Sequence, residues 1–175
     1  LISALQHVHA ANPVITNGVA AVAAGDAFTA YLEANGSLYI AGNNQSGQLG
    51  DDSTTPRSTF GFVTSDVSLI ACGTNYILFV KTNGSLWGMG DNYFGQFGDG
   101  STTGSSVPKQ ILASGVAGVS AGASHSLILK ADGSLWSAGL NITGQLGDGS
   151  TADRSDPFRV VDSGVVSASA GDGHS

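Results

Sequence analysis

The stretch GQLGDGSTA, residues 144–152, repeats two earlier ones, GQLGDDSTT at 47–55 and GQFGDGSTT at 95–103. Their first residues, Gly47, Gly95 and Gly144, lie 48 and 49 positions apart. Upstream of each stands a second recurrent element: NGSLYIAG from Asn35, NGSLWGMG from Asn83 and DGSLWSAG from Asp132. Further upstream come AGDAF, CGTNY, AGASH and a terminal AGDGH, built around Gly25, Gly73, Gly122 and Gly171. Linked elements in fixed order at one period mark a repeat architecture, in which each unit buries its apolar face against its neighbour. The units run at about 18–66, 67–114 and 115–163, with a partial one at 164–175. Residues 1–17 read as a lead-in or the end of a preceding unit. The odd residue in the spacing is local: ASGVAGV (113–119) and DSGVVSA (162–168) carry a Gly at their turn, whereas the first unit reads TSDVSLI (64–70) and its turn is one residue shorter. A loop absorbs such a change at little entropic cost.

Within a unit the pattern is strand-like. HSLILK (125–130) alternates polar and apolar residues, and ADG then turns into SLWSAG. An Asn-Gly or Asp-Gly pair between two such runs predicts a hairpin whose two central residues both take positive φ. GVAGVSAG precedes His125 as another strand, and FRVV follows Pro157, a proline suited to starting an edge strand. No stretch carries a helical period of useful length. Four short strands per unit of nearly fifty residues fit propeller blades better than solenoid coils. Small residues precede each repeated glycine (Ala24, Cys72, Ala121, Ala170), as expected where strands crowd near an axis. Cys72 is thus a packing residue and not a nucleophile. The expected fold is all-β, a partial β-propeller of about three four-stranded antiparallel blades plus the start of a fourth.

Composition narrows the function classes. Thirteen acids against six bases give a formal charge of −7, and apolar residues make up 41% of the chain, which indicates a folded chain and not a disordered acidic one. The bases (Arg57, Lys81, Lys109, Lys130, Arg154, Arg159) are scattered, which argues against nucleic acid as a partner. No run of about 18 apolar residues predicts membrane insertion. One cysteine supports neither a disulfide framework nor a multi-cysteine metal site. The first residue is Leu1 and the last residues are SAGDGHS, so both ends read as cuts through a longer gene product.

Residues 120–161, SAGASHSLILKADGSLWSAGLNITGQLGDGSTADRSDPFRVV, resemble the repeat of the regulator of chromosome condensation (RCC1) family. That pattern runs Gly-x-x-His-Ser/Thr, then Asp/Asn-Gly-x-Leu/Val-Tyr/Trp, then Gly-x-Asn-x-x-Gly-Gln-Leu-Gly. Residues 122–147 match it throughout; 73–98 match with Tyr76 for His and Phe97 for Leu, and 25–50 with Phe28 for His. The resemblance implies a β-propeller, usually of seven blades, so the remaining blades would come from the same longer chain or from a second copy. The acidic, Asn/Ser/Thr/Gly-rich composition looks like that of bacterial secreted or surface members, which implies an extracellular or cell-surface location.

The recurrent residues serve architecture in this reading. Gly47, Gln48, Gly50, Gly95, Gln96, Gly98, Gly144, Gln145 and Gly147 shape the turn. His125 and His174 share a position with Phe28 and Tyr76, which marks a packing or hydrogen-bonding role. Asp51, Asp99 and Asp148 recur as turn residues, their spacing fitting neither an EF-hand nor a calcium nonapeptide. Arg57 and Arg154 occupy equivalent places and tie turn to blade. GVSAG (118–122) matches a hydrolase nucleophile elbow around Ser120, but that motif needs a strand-to-helix turn and no helix follows. Asn35, Asn44, Asn83 and Asn141 begin formal glycosylation sequons, two of which are the hairpin turns themselves. No cofactor, metal or catalytic residue is expected. What varies between units is Gln45, Tyr93, Phe94 and Ile142, just before the GQ turns. Exposed, variable side chains on a rigid scaffold make a binding surface. The expected function is a non-catalytic protein-binding or scaffold module acting through this loop face, as a fragment of a larger secreted or surface protein. The alternative is guanine-nucleotide exchange on a small GTPase, and hydrolysis comes third.

Overall fold

A computed structural model describes residues 18–175; the expected lead-in at 1–17 lies outside them. Twelve strands form three separate four-stranded sheets among the described residues, with no helix. The first sheet contains β1 (Val19–Ala24), β2 (Phe28–Glu33), β3 (Leu38–Gly42) and β4 (Arg57–Thr64). The second contains β5 (Val67–Cys72), β6 (Tyr76–Lys81), β7 (Leu86–Gly90) and β8 (Ser105–Leu112). The third contains β9 (Val116–Ala121), β10 (His125–Lys130), β11 (Leu135–Gly139) and β12 (Arg154–Val161). Strands follow one another antiparallel in chain order, so each sheet is one blade. Residues 165–175 run beside the third blade in the place of a next first strand. They are not strand themselves.

Blades stack by burying the alternate faces of their middle strands. Phe28, Ala30, Leu32 and Ile40 of the first blade meet Ile77 and Phe79 of the second in one core. Leu78, Val80 and Leu86 on the other face of the second blade meet Ile128 of the third, with Trp136 beside them. The middle blade is covered on both sides, so its β6 reads YILFV, apolar at every position, whereas β10 reads HSLIL. Backbone hydrogen bonds join the blades at both ends. Asp26 N donates to Thr74 O, Thr74 N to Ala123 O and Ala123 N to Asp172 O, at 3.1–3.2 Å, beside the innermost strands. At the opposite end Val67, Val116 and Val165 donate to the hairpin carbonyls of Gly36, Gly84 and Gly133.

Two local expectations need correction. The hairpins form at Asn35-Gly36, Asn83-Gly84 and Asp132-Gly133, but only the glycines have positive φ, at 86°, 77° and 79°. Gly36 N bonds Glu33 O and Glu33 N bonds Ser37 O, a longer loop in which one residue is left-handed. The preceding Asn or Asp instead accepts from the amide two residues on, at 2.9–3.0 Å, which holds it out of that region. The outer strand of the third blade also begins at Arg154, so Pro157 does not start it. Pro157 sits inside a bulge between the pairs Ser137–Phe158 and Gly139–Arg154, and Pro108 lies in the matching bulge between Gly88–Lys109 and Gly90–Ser105. A residue without an N–H fits where the ladder is interrupted.

Candidate functional site

The loops joining third to fourth strands gather at one end of the blades, and each is built around a buried asparagine. Asn44, Asn92 and Asn141 have no exposed surface. Each Oδ1 accepts from the amide five residues on (Leu49, Phe97, Leu146) at 2.8–3.0 Å. Each Nδ2 faces an Asp carboxylate and two carbonyls at 3.0–3.3 Å; for Asn92 these are Asp99, Ser101 O and Thr103 O. The glutamines close the turn: Gln48, Gln96 and Gln145 accept through Oε1 from the amides of Ser46, Phe94 and Thr143. Sequence reasoning saw the Asn-x-x-Gly-Gln spacing, took its Asn half as structural and named Asn44 and Asn141 as formal sequons, but did not identify the asparagines as the buried centres of their loops; their signal for that was invariance among the three units.

The glycines of the loop are seats. A Cβ on Gly47 would lie 2.6 Å from Ser106 Cα of the next blade, and one on Gly95 would lie 2.4 Å from Ser155 Cα. Asp52 and Gly100 amides then donate to Ser106 O and Ser155 O. Gly50 rests on Met89 and Gly98 on Ala138 and Pro157. Gly144 and Gly147 meet no backbone of another blade among the described residues.

Three cations brace the loops. Arg57 pairs with Asp51 at 3.4 Å, Arg154 with Asp148 and Lys109 with Asp99. Lys109 is not at the position of the two arginines, where the second blade has Ser105; it reaches the same carboxylate from four residues further along β8. The Ser53 hydroxyl holds the Asp51 carboxyl below the usual range, and Arg154 does so more strongly for Asp148. Burial pushes Asp99 upward, but Lys109 and Ser101 outweigh it and its pKa is lowered.

The aromatic position of each unit covers the repeated glycine. A Cβ on Gly25, Gly73, Gly122 or Gly171 would overlap the ring of Phe28, Tyr76, His125 or His174. Tyr76 also donates to His125 O at 2.5 Å across the blade boundary, and His125 Nε2 lies 3.0 Å from Ser175 Oγ. His125 is fully buried, and that burial lowers its pKa. Ser120, the centre of the elbow-like motif, lies in β9, which turns into another strand, and its Oγ accepts from Ala170 N. Cys72 is half-buried beside an axial hollow lined by Ala24, Ala121 and Ala170, and burial pushes its thiol up to about 12. No three His, Cys, Asp or Glu side chains among the described residues converge as metal ligands. No helix among them is long and apolar enough to cross a membrane.

The variable residues come next in sequence to the buried asparagines. Gln45, Tyr93 and Ile142 are exposed, the last two at 72% and 66%, and Phe94 is half-buried with its ring edge-on to Tyr93 at 5.0 Å. Around them the loop end carries Asp26, Asp52, Asp91, Asp153 and Asp172, none in the four ion pairs found among the described residues. Sequence reasoning counted these acids but missed that they share one end, because the turns that bring them there belong to different elements of the repeat.

The comparisons agree with this architecture. The family model described as the regulator of chromosome condensation (RCC1) repeat matches residues 83–129 and 132–175. A second model of the same description matches 19–48, 67–96 and 116–145. Prp20p from Saccharomyces cerevisiae, whose structure is described with its binding properties to Gsp1p and histones, is 20% identical with a TM-score of 0.78 over 88% of this chain and 42% of its own. Yeast RCC1 (Prp20) in complex with Kap60 is 24% identical, TM-score 0.75, over 87% of this chain and 38% of its own. Human WBSCR16 is 20% identical, TM-score 0.58, over 92% and 57%. This chain thus spans roughly two-fifths to three-fifths of the propellers it resembles. No curated protein matches the sequence. The chain belongs to the regulator of chromosome condensation (RCC1) repeat family.

Proposed function

We propose that the chain is a non-catalytic protein-binding module whose loop face engages a basic surface on another protein. The observation that carries this reading is the alternation at 44–45, 92–93 and 141–142, a buried, hydrogen-bonded asparagine followed by an exposed side chain that differs each time. The asparagine fixes the loop, so the tip is displayed at little further entropic cost on binding. Tyr93 and Ile142 supply apolar anchors, and the unpaired aspartates around them favour a partner rich in Lys and Arg. The module works within a larger secreted or surface protein that supplies the other blades. Placing a photo-reactive residue at Tyr93 and another at Thr82, on the hairpin end, tests the face. Cross-links should form from Tyr93 and weaken with added salt; cross-links from Thr82 alone would reject the loop face.

Nucleotide exchange is the second reading, favoured by the likeness to Prp20p, which is described with its binding to Gsp1p. It requires that the chain accelerate nucleotide release from a small GTPase. Release at the uncatalysed rate with the chain in excess would remove it.

A further inference from the structure

The four sequons differ in what they present. Asn44 and Asn141 are fully buried, and their Nδ2 groups face carboxylate and carbonyl acceptors inside the loop. An oligosaccharide on either nitrogen would have to break that network. Asn83 is exposed at a hairpin tip, but its partner Ser85 is only 1% exposed. The Ser85 hydroxyl donates to Asn83 Oδ1 at 2.6 Å and accepts from Trp87 Nε1 at 2.8 Å, which locks it under the indole. Over the five residues from the asparagine, NGSLY at 35–39 against NGSLW at 83–87, the first hairpin differs at one position. Tyr39 stands where the second has Trp87, and a tyrosine ring has no N–H to hold the serine. Asn35 is exposed, Ser37 is only partly buried, and Ser37 N donates to Asn35 Oδ1 at 2.9 Å in a preformed Asx turn. Asn35 Nδ2 donates to the Glu33 carboxylate at the hairpin base at 3.1 Å.

We propose that Asn35 is an acceptor site for N-linked oligosaccharide in the folded chain, and that Asn44, Asn83 and Asn141 are not. The donor class is an oligosaccharide carried on a lipid diphosphate. A bond forms between Asn35 Nδ2 and the anomeric carbon, and the bond from that carbon to the diphosphate oxygen breaks. Its electron pair leaves with the lipid diphosphate, and the proton lost by Nδ2 passes to a base of the transferase. The site lies at the hairpin end, opposite the loop face, so a glycan there leaves Tyr93 and Ile142 uncovered.

The test presents the folded, purified chain to an oligosaccharyltransferase with its lipid-linked donor and maps glycopeptides by mass spectrometry. The expected result is modification at Asn35 that is lost in Asn35→Gln and Ser37→Ala and kept in Ser37→Thr. Tyr39→Trp should lower occupancy by severalfold, because it supplies the missing indole. An unmodified Asn35, under conditions in which a peptide spanning residues 30–41 is modified, would overturn the proposal. Modification of the folded chain at Asn44, Asn83 or Asn141 would overturn it equally.

Discussion

Asn92 and Tyr93 are chain neighbours with opposite duties. The asparagine has no exposed surface and bonds to Phe97 N, Asp99, Ser101 O and Thr103 O, whereas the tyrosine is 72% exposed. The same contrast holds for Asn44 with Gln45 and Asn141 with Ile142. One position is fixed because several buried backbone groups depend on it, and the next is free because nothing in the blade does. A rigid base under a variable tip lets one scaffold present different chemistry at each blade.

The sharpest way to break this contrast is Asn92→Ala. It strands the Phe97 amide and two carbonyls in a dry loop, and unsatisfied buried groups cost about 1–3 kcal/mol each. A loss of about 3 kcal/mol or more is expected in urea denaturation, near the top of the range for single substitutions. A loss below about 1 kcal/mol would mean that water enters the loop and that Asn92 is not its keystone.

Next in size is a comparison of two glycines with the same backbone and different surroundings. Gly95 and Gly144 have φ of 79° and 78°. Only Gly95 lies against the next blade, at Ser155. Gly144→Ala should cost about 1 kcal/mol, the ordinary penalty for a left-handed alanine. Gly95→Ala should cost about 3 kcal/mol, because the added methyl meets backbone that cannot move aside without opening the blade interface. Equal costs in thermal or urea melts would show that the seat on Ser155 is soft.

This pair also marks what the sequence could and could not disclose. Glycine recurrence, the hairpin pairs and apolar alternation are local signals, and from them the blades and their four strands are legible. The reasons for individual glycines are not local: Gly47 and Gly95 are small because of Ser106 and Ser155, some 60 residues on. The same holds for Lys109, which serves Asp99 from a position unlike that of Arg57. Of the loop face, the variable positions could be found by comparing units, since variation is visible in one dimension. The gathering of Asp26, Asp91 and Asp172 could not, because it needs the turn ends of several strands placed side by side.

A smaller effect separates the blade boundaries by pH. Burial lowers the pKa of His125, while an unfolded histidine titrates near 6.5. Above about pH 6.5 both states are neutral and His125 adds no pH dependence. As pH falls through that value the unfolded chain takes a proton that the folded chain refuses, so stability is lost down to the lowered folded pKa. The depressed carboxyls of Asp51, Asp99 and Asp148 act lower, their contribution being full above the usual carboxylate range and lost below about pH 4. His125→Phe keeps a ring over Gly122, as Phe28 does over Gly25, and should flatten melting temperature against pH between about 7 and 5.5. The fall below about pH 4 should remain. An unchanged upper slope would move its origin to another group.

The smallest change in stability is expected where the functional effect should be greatest. Tyr93→Ala removes an exposed ring that contacts Phe94 at 5.0 Å and leaves the Tyr93 amide bonded to Asp91 at 3.0 Å. Its cost in urea should stay within about 0.5 kcal/mol, as for surface changes that disturb no buried group. If the loop face binds through this anchor, affinity should fall at least about thirtyfold, the size of a hot-spot truncation. Paired with Asn92→Ala, the variant separates the two duties cleanly, one substitution lowering stability and the next lowering affinity alone. A Tyr93→Ala chain that melts early would place the ring in the scaffold, and the face would then rest on Ile142 and Gln45.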